Sequence, residues 1–283
     1  MKLKKNLPLA IAGIAMMFAS WSCKKDHKIN PDQTQGNAVK LATNSKFGNI
    51  MTDAKGKTLY FFAIDANGNS GCNGGCSVVW PTFYQANLTL DNGLDTKDFG
   101  TITRADGSKQ TTYKGWPLYY YQSDAKAGDT NGDGVGSTWF VAKPDYTVMV
   151  ANSQLIGNDS VRYDSQLKPG LQVTQYITDD RGQTLYSFSH DKFKTNNFTL
   201  ANFSNNAAWP IDTVKTVQNV PSILDKTQFE TITVFGKTQL VYKGWPLYYF
   251  GKDNGQRGNN RGISFPTPGI WPYTNKSTTV APM

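Results

Sequence analysis

Tyr113-Lys114-Gly115-Trp116-Pro117-Leu118-Tyr119-Tyr120 recurs letter for letter as Tyr242-Lys243-Gly244-Trp245-Pro246-Leu247-Tyr248-Tyr249. Eight identical residues 129 positions apart mark an internal duplication, and a repeat of that kind decides an architecture before local propensity does. The same shift carries Trp80-Pro81 onto Trp209-Pro210, and Trp80 to Trp116 spans 36 residues, as does Trp209 to Trp245. Thr-Asp-x-x-Gly-x-Thr-Leu-Tyr at 52–60 answers to 178–186, and Trp139 answers less tightly to Trp271.

Each half holds a shorter echo: Tyr, any residue, an aromatic, any two residues, Asp. The copies are Tyr60/Phe62/Asp65, Tyr119/Tyr121/Asp124, Tyr186/Phe188/Asp191 and Tyr248/Phe250/Asp253, each preceded by Leu. On a strand the Tyr and the second aromatic share a face. The Asp stands where the apolar run stops, a position suited to an Asx turn. Four copies argue for a core strand with its terminating turn; an aromatic stripe lining a carbohydrate or aromatic-ligand site is the alternative.

This pattern, with Trp-Pro after the first copy and Gly-Trp-Pro-Leu-Tyr leading into the second, resembles the bacterial family called secreted repeat of unknown function, whose members are predicted lipoproteins. The resemblance runs from about Gly48 to Trp139 and from about Tyr176 to Trp271. Many members carry one pair of motifs, which implies that one pair makes one domain. The family implies an architecture and an exported, lipid-anchored protein, without a substrate.

The composition points the same way. Aromatics are 13% of the 283 residues, with 26 Gly and 13 Pro, and Glu230 is the only glutamate beside 20 Asp. Helix formers are scarce and turn formers abundant. The expected fold is all-β, as two tandem duplicated domains at 41–152 and 171–275 joined by a connector at 153–170. The alternative is a single four-fold propeller-like body. Hairpins are expected around the turns 53–56, 105–108 and 179–182 and around Gly236. The tail, 276–283, is expected to fray.

Lys2, Lys4 and Lys5 followed by an apolar run from Leu7 to Ser20 read as a signal peptide, 1–22, too short to span a membrane as a helix. Ser20-Trp21-Ser22-Cys23 resembles a lipobox, so that cleavage would leave Cys23 lipidated and the protein anchored rather than spanning. Lys24 after that Cys implies passage to the outer membrane. Residues 23–40 read as a disordered tether. Six Lys and one Asp fall within the first 30 residues, so the formal charge of +8 leaves only +3 for the rest. That surplus is no nucleic-acid surface.

Candidate chemistry is sparse. Cys72 and Cys76, with Asn73-Gly74-Gly75 between them in an exported chain, are expected to form a disulfide. A soft-metal or redox site, with copper the candidate metal, is the alternative. Only His27 and His190 exist, so neither a His-rich zinc or copper site nor a repeated Ser-His-Asp set can be assembled. Asp129, Asn131 and Asp133 match the start of a calcium loop, but Phe140 stands where a bidentate Glu is needed, and a plain turn is the competing reading. The expectation is a non-catalytic envelope protein without a cofactor. It would bind or scaffold at the cell surface, with envelope proteins or glycans as partners. A metal or redox accessory built on Cys72 and Cys76 and an Asp-based glycan-active enzyme are the rivals.

Overall fold

A computed structural model describes residues 38–283; the signal peptide, Cys23, His27 and most of the expected tether lie outside the described residues. The fold is all-β. The repeated Thr-Asp-x-x-Gly stretch shows why the chain turns where it does. Asp53 Oδ1 accepts the amides of Lys55 and Lys57, both at 2.9 Å, and Gly56 takes φ +81°. Asp179 does the same for Arg181 and Gln183, at 2.9 and 2.8 Å, with Gly182 at φ +86°. A short-range carboxylate cap and a left-handed residue close each turn without help from the rest of the chain.

Strand β1 (Ala38–Asn44) pairs antiparallel with β2 (Gly48–Asp53), and a two-residue β4 (Thr89–Leu90) adds parallel to β1. Residues 38–40, expected within the tether, are strand, and Val39 is fully buried. Its alternation with half-buried neighbours is too short to stand out from the polar run before it. β3 (Tyr60–Phe62) pairs with β8 (Trp139–Val141). β5 (Phe99–Thr103), β6 (Lys109–Tyr113) and β7 (Trp116–Pro117) form a meander, matched in the second half by β12 (Phe229–Val234), β13 (Lys237–Tyr242) and β14 (Trp245–Pro246). A single-turn helix, α1 (Gly75–Val79), carries Cys76.

The halves are linked by β9 (Val148–Ile156), which pairs with β10 (Arg162–Tyr163) and with β11 (Val173–Asp179). Register identifies β9 as the counterpart of β1: Val39 faces Asp53 in one half, and Val148 faces Asp179 in the other. The segment expected as a connector, 153–170, thus contains the end of β9 and all of β10. The small sheets remain open, and no barrel or propeller ring closes among the described residues. Apolar packing is nevertheless continuous across the duplication. One core cluster joins Phe61, Tyr113 and Trp116 to Tyr176, Trp209 and Trp271, and a second joins Phe140 and Val150 to Ile177, Leu185 and Leu240.

The signature Lys-Gly pair makes a two-residue turn with both φ values positive, 47° and 80° at Lys114-Gly115 and 49° and 83° at Lys243-Gly244, as the twist of a tight hairpin requires. Each turn then receives another piece of the chain. In the first half Trp116 Nε1 donates to the carbonyl of Asp180 at 3.0 Å, and Lys114 Nζ pairs with the Asp180 carboxylate at 2.6 Å. In the second half Trp245 Nε1 donates to Thr279 O at 2.9 Å, and Lys243 Nζ donates to Lys276 O and Thr278 O. The C-terminal tail is therefore docked, contrary to the expected fraying. Phe193 N donates to Pro282 O, Ala281 N donates to Lys243 O, and Ala281 is buried. No helix among the described residues is long and apolar enough to cross a membrane.

Candidate functional site

The four Tyr-x-aromatic-x-x-Asp copies meet in pairs, and each pair is reciprocal. Tyr60 donates to Asp124 (2.6 Å) while Tyr119 donates to Asp65 (2.5 Å). Tyr186 donates to Asp253 and Tyr248 to Asp191, both at 2.7 Å. The backbones of each pair bridge antiparallel, Tyr60 with Tyr119 and Tyr186 with Tyr248, so every pair sits on a local two-fold axis. The expected Asx turn is not what these carboxylates make. Each gives its second oxygen to an amide six to eight residues on, from Gly71, Asn131, Asn197 or Arg261. The pattern is a buried latch between two copies of one strand.

Above each latch lies a column of four rings. Phe62, Trp139, Trp80 and Tyr121 stack in that order, with centroids 3.9, 3.8 and 4.2 Å apart. Phe188, Trp271, Trp209 and Phe250 repeat it at 4.4, 3.7 and 4.4 Å. The two-fold passes between the tryptophans, so Trp139 is to the second motif what Trp80 is to the first. Spacing carried that signal: Tyr60 to Tyr119, Asp65 to Asp124 and Trp80 to Trp139 are all 59 residues, and the second half repeats the relation at 62. Trp116, by contrast, packs in the core beside Phe61, and Trp245 is half-buried.

The remaining candidates scatter. Cys72 and Cys76 are joined in a disulfide, Cα to Cα 5.2 Å, with Cys72 fully buried and its carbonyl bound by Arg104 at 2.8 Å. Asp129 accepts the amides of Ala125 and Lys126, Asn131 donates to Ser123 O, and Asp133 accepts from Val141 N. These side chains thus bond to nearby backbone, and among the described residues no three His, Cys, Asp or Glu side chains converge as a metal site. His190 is exposed beside Ser189.

What the structure does assemble is a seam between the halves. Thr147 N donates to Asn219 O (2.8 Å), Asn219 N donates to Asp145 O (3.2 Å), and the Asn219 amide donates to the Asp145 carboxylate (2.6 Å). On one side of this strip opens a cleft of about 390 Å³, lined among others by Lys114, Asp145, Asp179, Asp180, Thr216 and Tyr249. Tyr249 donates to Asp179 Oδ2 at 3.3 Å. Close to that pair lies Asp212, 2% exposed, with one carboxylate oxygen lacking any hydrogen-bond partner. Buried polar atoms are almost always satisfied, so this oxygen and the likewise unpartnered Oδ1 of Asp145 stand out.

Asp212 is also where the duplication breaks. The 129-residue shift aligns Trp80-Pro81-Thr82-Phe83 with Trp209-Pro210-Ile211-Asp212. Both residues hold the same backbone position: Phe83 N donates to Leu118 O and Asp212 N to Leu247 O. A carboxylate has replaced a buried phenyl ring. That substitution was readable in the sequence once the halves were aligned residue by residue, and it points to the seam rather than to the recurring motif.

Burial raises the affected carboxyls more than their hydrogen bonds lower them. Asp65 is pushed up to about 7, and Asp191 and Asp253 to about 6. Beside the cleft Asp179 is raised to about 6, mostly by burial, and Asp212 to about 7 by burial and by repulsion from Asp179. Folded-state values above the ordinary carboxylate range mean that the native protein binds more protons than the unfolded chain between about pH 4 and pH 7. This stabilisation is complete below about pH 4 and is lost as pH rises through 6 to 7. Thermal melts should give a midpoint roughly 5 °C higher at pH 5 than at pH 8, the shift that about 2 kcal/mol produces in a chain of this size. A profile that rises toward pH 8 would contradict the assignment.

Comparison with known proteins locates three segments. Residues 42–83, 100–143 and 232–263 match the family model described as a secreted repeat of unknown function. The first two segments contain the two latched motifs of the first half, and the third covers the Tyr248 motif. Its partner motif at Tyr186–Asp191 lies outside the matched segments and is evident from the latch geometry. No curated protein and no solved structure matches the chain.

Proposed function

We propose that the protein is an exported, envelope-anchored binding protein that holds a polyhydroxylated ligand, a glycan, in the cleft between its two halves. The observation that carries this reading is the division of labour among its polar groups. The recurring Tyr-Asp pairs and ring columns are consumed in the interior. The cleft instead presents carboxylates, two lysines, two threonines and two tyrosines to an open concavity. Hydroxyl-rich ligands suit such a lining, which offers acceptors and donors with an aromatic edge. The basic and apolar N-terminal sequence ending at Cys23 and the match to a secreted repeat support export and a lipid anchor at the outer membrane.

A glycan array probed with the wild type and with Thr216→Trp tests the proposal, since Thr216 is an exposed lip residue whose enlargement fills the cleft. Specific capture by the wild type, lost in Thr216→Trp with an unchanged melting midpoint, is the expected result. Absence of specific capture would refute it. A second reading, hydrolysis by paired carboxyls, draws on Asp179 and Asp212 with their raised affinities for protons. Turnover of a captured glycan that stops in Asp179→Asn would favour it over binding alone.

A further inference from the structure

A second pocket, of about 380 Å³, is also built by both halves. Its polar character is the reverse of the first. Lys46 comes from the turn between β1 and β2, Lys143 follows β8, and Lys226 comes from the loop before β12. Phe47, Tyr146 and Leu224 supply apolar wall, and Asn219 and Ser222 supply neutral polar groups.

None of the three lysines has a carboxylate within ion-pair distance. Four ion pairs form among the described residues, and none includes Lys46, Lys143 or Lys226. Lys46 and Lys226 are exposed, where an unpaired ammonium is held by water. Lys143 is only 5% exposed. Its stem is packed away from water, with Nζ 5.6 Å from the Tyr146 ring centroid. Asp145 and Asp133 act on Lys143 from a distance and favour its charge, while Lys226 opposes it. Burial is the larger influence and lowers its proton affinity. Three lysines thus line one pocket that has no carboxylate among its lining residues, an arrangement that suits an anion.

We propose that this pocket is an anion site that takes a phosphate ester on a small organic body, with the phosphate held by Lys143, Lys46 and Lys226 and the body resting on Phe47, Tyr146 and Leu224. Lysines act here as point charges, the role they commonly play toward phosphate. The volume exceeds that of a bare phosphate and suits an ester such as a phosphosugar or a glycerophosphate headgroup. The proposal stands apart from glycan binding in the first cleft, with which it shares only the Tyr146 strip.

Calorimetric titration of the full-length protein with inorganic phosphate, glucose 6-phosphate and dihexanoyl phosphatidylglycerol tests it and separates a soluble ester from a lipid headgroup. Saturable binding of at least one ester is expected at sub-millimolar to about 1 mM concentration, with inorganic phosphate weaker and competing. Lys143→Met, which keeps the stem and removes the charge, should weaken binding about tenfold or more. Should Lys143→Met lose its near-ultraviolet dichroism, the exposed pair Lys46→Gln with Lys226→Gln carries the same test and should weaken binding by a similar factor. Binding of none of the three probes up to about 10 mM, or binding undiminished in a folded charge-removing variant, overturns the proposal.

Discussion

Replacing Trp80 with alanine should destabilise the protein by about 3–5 kcal/mol, the range for removing a large aromatic from a packed core. Trp80 is 4% exposed and stacks on Trp139 at 3.8 Å and on Tyr121 at 4.2 Å, with Tyr60 edge-on at 5.4 Å. Each such pair contributes about 0.5–1.5 kcal/mol beyond its buried area, and the substitution breaks three of them at once. It also strips the cover from the Tyr60–Asp124 hydrogen bond. Phe250→Ala, at the end of the second column and 3% exposed, should cost about 3 kcal/mol. Tyr121→Ala, half-buried at the end of the first, should cost less. Denaturant unfolding measures all three. Should Phe250→Ala or Tyr121→Ala instead abolish ligand capture while leaving stability intact, these rings are a binding surface and not a core.

Gly115→Ala should be nearly as damaging, for a different reason. Arg257 of the second half reaches across the seam, donating from Nε to Ala66 O (2.8 Å) and from Nη1 to Lys114 O (2.9 Å), with its guanidinium over the Trp116 ring at 4.8 Å. A Cβ on Gly115 would fall 1.8 Å from Nη1, and Gly115 has φ +80°. The left-handed backbone alone costs alanine about 1 kcal/mol. Eviction of a buried guanidinium adds the loss of its charge-assisted bonds, about 1.5–3 kcal/mol each. A total above about 3 kcal/mol is expected. Gly107→Ala supplies the control: its φ is +81° with nothing within 4 Å, so only the roughly 1 kcal/mol backbone contribution should appear. In an Arg257→Ala background the cost of Gly115→Ala should shrink toward that of the control, and a double-mutant cycle with no coupling would defeat the steric account.

The duplication, the all-β class and most hairpins were legible because they rest on local chemistry. Asp53 and Asp179 cap their own turns, and the Lys-Gly pairs demand a left-handed corner wherever they occur. The latch was half legible. Four identical strand-ends could be seen, but which Asp each Tyr would meet depends on an antiparallel crossing of strands some sixty residues apart, for which a single copy of the motif holds no information. The anchoring of the tail was hidden for a related reason. Residues 276–282 contribute backbone carbonyls and amides, and every residue type but proline offers both. The candidate sites were not legible because they lie where the halves differ, and a duplication marks only what recurs. Asp212 occupies the position of Phe83, and Lys143 lies outside both repeated motifs.

The two signature turns, read as coupling ends, give the molecule a definite valence. The outgoing end of the first unit is joined to the incoming turn of the second through Asp180 and Arg181, the latter paired with Asp98 at 2.6 Å. The outgoing end of the second unit is stoppered by the chain's own last residues. The incoming turn of the first unit carries Ala54 and Lys55 where the second carries Asp180 and Arg181, so it has no carboxylate to offer Lys243. One end is occupied, and the other lacks the carboxylate that Lys114 meets at the joint. A second copy offered to the outgoing end of this chain would have to displace the docked tail and would bring no carboxylate for Lys243.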